Sequence, residues 1–511
     1  MARTSFSRLV TPALAGVAAV VVGVGVGELL AGLFAPASSP FAAVGSALID
    51  LAPPFAKETA IALFGTDDKT ALIVLIGLVA IVLAAVGGVL EARRPPWGRV
   101  LAVAFGAVGA VAAATRADAS LLSWAPSLAA GVVAAIALRM LIRRLPTQPR
   151  DDAPSDPDRR RFFVWAGATA AAGVLLTVAG NAVRAGSQVV TAARDSLRLP
   201  SPATTAPPVP AGAELGIDGL APVVTPNADF YRIDTALIVP QIDPSTWSLR
   251  IHGMVDQEVT LTWDELLALP LDESTTTLTC VSNEVGGNLI GNAVWLGFPI
   301  RELLAQAGPT ADADMVLSRS TDGFTASTPL EVLTDDRNAI LAVGMNGEPL
   351  PTEHGFPVRM VVPGLYGYVS ATKWVTELEV TRFDQATSYW TDRGWSERGP
   401  IKLESRIDVP RPGTSVSVGD SVIAGVAWQQ HVGVSGVEVQ VDDGDWEAAT
   451  LASAISDDTW VQWSLPWSAT SGSHTIRCRA TNADGETQTS AVANVIPDGA
   501  TGWDAVEVTV R

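Results

Sequence analysis

Apolar stretches crowd the first third of this chain and then stop. Runs at 9–34, 71–90, 100–114, 121–142 and 162–179 are nearly free of charge, and most reach the roughly 20 residues that cross a bilayer as a helix. The pattern predicts about five transmembrane helices, the 100–114 run being short and rich in alanine. The stretch 41–64 contains Pro53, Pro54, Lys57 and Glu58, and reads as an interfacial or re-entrant segment instead of a further span.

From 182 to 214 the chain turns to Pro, Ala, Ser and Thr, as in Leu199-Pro-Ser-Pro202 and Pro207-Pro-Val-Pro210. That composition predicts a linker. Residues 230–380 then mix strand-like pieces, such as 247–255, with helical ones, such as 262–269, where Thr262 and Glu265 are spaced as a capping box. After Arg406 the pattern is short alternating strands: 421–428, 436–441, 460–467, 474–480 and 505–510, with an Asp442-Asp-Gly444 turn. A β-sandwich follows from it. The predicted organisation is a membrane domain at 1–181, a linker at 182–214, an α+β catalytic domain at 215–400 and a sandwich at 401–511.

Charge adds direction. The clusters Arg3 and Arg8, Arg93, Arg94 and Arg99, and Arg139, Arg143, Arg144 and Arg159 to Arg161 all fall on one side of five spans. Basic residues mark the cytoplasmic side, so the amino terminus is expected there and everything after Ala179 outside. Asp158-Arg-Arg-Arg-Phe-Phe163 reads either as an internal twin-arginine export signal or as an ordinary basic helix flank. The 511 residues carry a net charge of −19, concentrated in the exported part, which argues against nucleic acid as a partner.

Two cysteines remain. Cys478 alternates with Ile476 and Ala480 on a predicted strand face, so it belongs to a core. Cys280 ends an alternating run in Thr-Leu-Thr-Cys280-Val-Ser-Asn-Glu-Val-Gly-Gly-Asn, where its sulfur is placed either to bind a soft metal or to fill a small apolar space. The two lie in different predicted domains, which argues against a disulfide. A second block, His354-Gly-Phe-Pro-Val-Arg359 through Ala371-Thr-Lys373, gathers donors and cations around a glycine-rich turn. It suits a phosphate-bearing ligand or forms a polar hairpin tip.

Together Cys280 and this block resemble the sulfite oxidase family of molybdopterin-dependent oxidoreductases. The resemblance runs from about Ala221 to Arg511 and includes Ala293-Val-Trp-Leu-Gly-Phe-Pro-Ile-Arg-Glu-Leu-Leu304, Asn346-Gly-Glu-Pro-Leu-Pro351, Gly425-Val-Ala-Trp428 and Val437 to Gly444. It implies a multi-domain fold: N-terminal transmembrane α-helices, an α+β molybdopterin-binding domain of sulfite oxidase type, and a C-terminal immunoglobulin-like β-sandwich for dimerisation. It implies a molybdenum cofactor, with Cys280 as the metal's thiolate ligand. Asn227, Tyr231, Arg232, Ser320, His354, Arg359, Ala371, Thr372 and Lys373 match its cofactor contacts, and Trp395 and His431 are candidates for the catalytic pocket.

Departures bear on substrate. The arginine that sulfite-oxidising members carry five residues after the cysteine is Val285 here, their active-site tyrosine aligns with Trp395, and a third arginine falls on Gly433. Each lost charge-assisted hydrogen bond removes about 1.5–3 kcal/mol of dianion recognition. The implied reaction is two-electron oxygen-atom transfer on a sulfur-containing substrate. A sulfoxide reductase running in reverse and a metal-free membrane-tethered binding protein are the alternatives. The first histidine is His252 and no CxxCH occurs, so no haem is expected in this chain. The implied electron carrier is a separate partner: a cytochrome, a quinone system or a soluble protein.

Overall fold

The computed structural model describes residues 2–35, 38–53, 59, 63–64, 68–117, 119–145, 156–185 and 189–511. Pro54, Lys57 and Glu58 lie outside them. The chain divides into two compact units: Met1–Val189 with Thr235–Pro240, and Val190–Asp234 with Gln241–Arg511.

The first unit is helical. Among the described residues five helices are long and apolar enough to cross a membrane: Leu9–Phe34, Lys69–Arg93, Trp97–Ala114, Ala125–Ile142 and Arg160–Arg184. Pro40–Leu51, within the stretch read as interfacial, is a helix too short to span. Small residues let these helices approach closely: a methyl at Gly25 or Gly32 would strike the backbone of Gly173 or Gly180. Buried Glu28 receives Ser39 Oγ at 2.7 Å and Arg184 Nη2 at 2.8 Å, which compensates a charge inside apolar surroundings. Residues Thr235–Pro240, expected in the catalytic domain, group with the helices. Lys69 Nζ donates to the Ala236 carbonyl at 3.0 Å, and Leu237 packs at Gly45.

The second unit begins with the stretch expected to be a linker, and here the expectation needs correction. Residues 189–196 are helical, and Arg194 Nε donates to the Leu350 carbonyl at 2.9 Å. Further on, Ala203 N donates to Leu271 O at 2.6 Å, and Glu273 N donates to Thr204 O at 2.8 Å. Proline removes donors but leaves carbonyls, and an extended Pro-rich segment can therefore pair along a strand.

Two sheets carry the central part. One runs Val259–Thr262, Ser248–Gly253, Val375–Thr381, Met315–Ser320, Thr325–Pro329, with only the second and third strands parallel. The other runs Asp272–Thr279, Ile290–Pro299, Ile340–Met345, Glu348–Pro349, and Arg359–Val361 also pairs with the third of these. Thr262 and Glu265 form the capping box that their spacing predicts. Leu249, Ile251, Leu341, Val358 and Leu378 pack into one apolar core, which fixes the strand ends from which the site is built.

Beyond Glu404 two further sheets face each other. Glu404–Val409, Gly419–Trp428, Val461–Ala469 and Thr450–Leu451 form one, and Ser415–Val416, Asp504–Val510, Gly472–Asn482, Val434–Val441 and Glu447–Ala448 the other. Ile423 and Trp463 from the first share a core with Val439, Ile476, Cys478 and Val508 from the second. Cys478 is fully buried, as its alternation predicts, and both cysteines are free thiols. Ile423→Ala should cost ~2–5 kcal/mol and lower the thermal midpoint. Val418→Ala, at a position 56% exposed, should leave the unfolding free energy within about 0.5 kcal/mol of wild type.

Candidate functional site

Cys280 is the first residue past the strand Asp272–Thr279, and its turn is closed at both ends. Its amide donates to Leu289 O at 2.9 Å, and its carbonyl accepts Asn283 N at 3.0 Å. The Asn283 side chain then takes the Leu289 amide at 2.8 Å. The thiol is 8% exposed, and burial pushes its pKa up, against a pull downward from Ser282 and Lys373. A buried thiol raised in this way becomes a thiolate when a cation binds it.

The second block folds beside it. Arg359 is 5% exposed. Its guanidinium donates to the carbonyls of Met360 at 3.3 Å, His354 at 3.1 Å and Ala371 at 3.4 Å, and stacks over Trp295 at 5.1 Å. All three acceptors are neutral. Burial lowers its pKa to about 10. A buried cation without a carboxylate is costly unless an anion arrives.

His354 follows the same logic. It is 3% exposed, its Nε2 lies 3.3 Å from Asn227 O, and its ring meets Phe230 edge-on at 5.5 Å. Burial first, then repulsion from Arg359 and Lys373, lowers its pKa to about 4, so the imidazole is neutral at pH 7. Gly355, at φ 114°, is forced by its surroundings: a Cβ there would lie 2.9 Å from Arg359 Cβ and 3.2 Å from Lys373 Cβ.

Lys373 donates to Asp234 Oδ2 at 2.6 Å and to Glu353 O at 3.0 Å, and burial lowers its pKa to about 8. Arg232 reaches the same Asp234 carboxylate at 2.9 Å. The burial of Tyr231 raises its phenol, which senses both Cys280 and Arg359. Lys373 and Arg232 thus share the Asp234 carboxylate while Arg359 bonds only carbonyls among the described residues, and the field of the site favours an anion.

The other expected residues have plain positions. Asn227 donates to Met345 O at 3.3 Å and accepts Asn346 Nδ2 at 2.8 Å. Thr372 is bonded through its hydroxyl to Ser318 at 2.7 Å, and Ala371 O serves Arg359. Ser320 pairs with Val375, two residues from Lys373, and its amide donates to Phe324 O at 2.9 Å. Trp395 instead joins Tyr368 at 5.8 Å and Trp390 at 6.0 Å. His431 turns at φ 69° toward Asp458, 3.2 Å from its Nδ1. Asp234 escaped sequence reading, although it stands two places after Arg232 in Tyr-Arg-Ile-Asp.

Among the described residues no three His, Cys, Asp or Glu side chains gather as a metal site. The Cys280 thiolate, a soft donor, could hold a metal that a cofactor brings with its other ligands. The buried cations beside it fit such a cofactor if it carries phosphate.

The class of protein is defined by the match of residues 236–390 to the oxidoreductase molybdopterin binding domain. Rat mitochondrial sulfite oxidase is 32% identical over 271 residues, covering 45% of this chain and 49% of the relative. The uncharacterized oxidoreductase YuiH of Bacillus subtilis is 33% identical over 157 residues, 31% of this chain and 76% of YuiH. The sulfane dehydrogenase SoxCD of Paracoccus pantotrophus superposes with a TM-score of 0.51 at 22% identity, over 57% of this chain and 82% of that one. The chain belongs to the sulfite oxidase family of molybdopterin-dependent oxidoreductases, whose cofactor is molybdopterin carrying molybdenum. It spans about half the length of the curated sulfite oxidases it matches.

The depressed His354 pKa fixes a sign. Between pH 6.5 and about 4 the unfolded chain binds the histidine proton and the folded chain does not, so stability falls as pH drops through that window. Thermal midpoints of the cofactor-free protein at pH 7, 6, 5 and 4 should converge on those of His354→Gln as acid is added. A difference independent of pH would contradict the assignment.

Proposed function

We propose that this chain is a membrane-anchored, extracytoplasmic molybdenum oxidoreductase that catalyses two-electron oxygen-atom transfer on a sulfur-containing substrate. One observation carries the reading. The buried Arg359 guanidinium, held only by neutral carbonyls, stands with Lys373 and neutral His354 in the site that also holds Cys280. When bound, the cofactor supplies the two-electron redox change.

The chain's own residues do the rest. Cys280 offers the single protein thiolate. Arg359 and Lys373 hold the anionic end of the cofactor, and Arg232 reinforces them through Asp234. His354, neutral at pH 7, can donate or accept one hydrogen bond without adding charge. Asn227, Tyr231, Ser320, Ala371 and Thr372 line the same hold, while Trp395 and His431 are assigned to the substrate side. The helices Leu9–Phe34 through Arg160–Arg184 act as anchor, with basic clusters on the cytoplasmic face. Electrons pass to a separate cytochrome, quinone system or soluble carrier, and the two-sheet carboxy-terminal part serves as an immunoglobulin-like dimerisation module.

Sulfite itself is disfavoured. Val285 is half-buried and apolar where a cation would bind a dianion. Gly433 has φ 88°, and a Cβ there would lie 2.7 Å from Asp457 Oδ1, so a side chain at that position meets a carboxylate. These two features support an organic sulfur compound, with sulfoxide reduction as the second reading. Methionine sulfoxide with a viologen donor and methionine with ferricyanide separate the two directions, and sulfite with ferricyanide tests the exclusion of the dianion.

Elemental and pterin analysis of the purified chain tests the core of the reading. Wild type should hold molybdenum near one per chain, and Cys280→Ser should lose turnover. Arg359→Met should weaken cofactor retention roughly 10–150-fold, the worth of one charge-assisted bond. Wild-type protein that takes up neither metal nor pterin would overturn it.

A further inference from the structure

A group of buried polar atoms stands outside the cofactor hold. Glu404, the first residue of its strand, is 3% exposed, and neither carboxyl oxygen has a hydrogen-bond partner among the described residues. Its cross-strand neighbour is Trp428, whose Nε1 is likewise without one. Asn283 Nδ2, whose side chain acts on the Glu404 carboxyl, is unpartnered as well, and so is Gln430 Oε1 on the Thr279 side of the Cys280 turn. Buried polar atoms almost always find partners. Several unsatisfied together mark a place served by water and protons.

This place adjoins the Cys280 turn. Asn283 bonds the Cys280 carbonyl at 3.0 Å through its amide, and Gln430 Nε2 donates to Thr279 Oγ1 at 2.8 Å, one residue before the cysteine. Tyr366 is 1% exposed and senses both the Glu404 carboxyl and the Cys280 thiol. Its phenolic oxygen accepts the Lys402 amide at 3.4 Å. Lys402 Nζ in turn donates to Asp498 Oδ1 at 2.9 Å and to Gly499 O at 2.7 Å, and the Asp498 side chain is 48% exposed. Tyr366 Oη also lies against Gly499, whose carbonyl holds Lys402 Nζ, so polar groups are spaced between the turn and the surface, with water required to join Glu404 to Tyr366.

We propose that Glu404 and Tyr366 form a proton route between the space beside Cys280 and the Lys402–Asp498 pair at the surface. The route rests on the oxygen-atom-transfer reading. In the oxidative direction water gives its oxygen to the substrate, two electrons leave to the separate redox carrier, and two protons must leave the interior. In the reductive direction the same carrier supplies two electrons, two protons enter, and the substrate's oxygen departs as water. A carboxyl that is neutral at rest suits either task.

The charged and titratable surroundings agree. Burial pushes the Glu404 pKa up to about 8, opposed by Asn283 and by Lys402. On the same strand Arg406 is committed to Asp408 at 2.6 Å and to Gly287 O at 2.9 Å. From the other elements the Tyr366 phenol senses the Glu404 carboxyl and Trp428 stands opposite it across the strand pair, neither of them a cation. Glu404 is a positioning and relay residue; it is not assigned contact with substrate.

The test uses the full chain in detergent, with molybdenum and pterin measured first in every sample. Infrared difference spectra should show the carbonyl stretch of a protonated carboxylic acid that titrates with a midpoint near 8. The band should vanish in Glu404→Gln and persist in Tyr366→Phe. When a viologen reduces the loaded protein, dye-detected proton uptake should slow ~100-fold in either variant at unchanged metal content, and Glu404→Asp should restore part of the rate. A missing band, or uptake unchanged in both variants, overturns the route. Wild type lacking metal and pterin sinks the functional reading itself, a failure visible before any variant is compared.

Discussion

A guanidinium removed from water has to be answered by negative charge, and among the described residues Arg359 bonds no carboxylate. Arg359 spends its donors on three backbone carbonyls, while the nearest bonded carboxylate, Asp234, is shared by Lys373 and Arg232. The free protein therefore carries an electrostatic cost that a phosphate-bearing cofactor relieves. Much else follows from that. The neighbouring imidazole is neutral because it is buried next to two cations, and Gly355 is required because the cations leave no room for a Cβ.

Cys280 belongs to the same economy. Its turn is closed by Leu289 and Asn283, and Asn283 meets Glu404 from the opposite side. Asn283 thus stands between the Cys280 turn, closed by its backbone amide and its side-chain oxygen, and a buried acid. The proposed hold on the cofactor and the proposed proton route would use opposite electrostatics: excess positive charge in one, an unsatisfied carboxyl in the other.

How much of this was legible in the sequence depended on range. Local patterns were read well: the apolar runs, the Thr262–Glu265 box, the alternation that buries Cys478, and the turn at Asp442 all reflect neighbours a few residues apart. The site's central cluster was legible because Cys280, His354, Arg359 and Lys373 are chemically distinctive. What failed was long-range burial. Nothing local distinguishes Asp234 from a solvated acid, or shows that Glu404 faces an interior closed by Trp428 and Tyr366. The 182–214 stretch misled for a related reason: composition reports a lack of donors, not whether a strand such as Asp272–Thr279 accepts pairing from it.

The strand that ends at Cys280 has its outer edge covered by the carboxy-terminal sheets. Thr277 N donates to Asp458 O at 3.0 Å, Trp460 N to Thr277 Oγ1 at 2.9 Å, and Gln430 Nε2 to Thr277 O at 3.1 Å. Cutting the chain near residue 400 to obtain a minimal catalytic fragment would strip that cover and leave a threonine-rich ribbon open to self-association. A catalytic fragment that is to stay monomeric therefore has to keep the carboxy-terminal sheets.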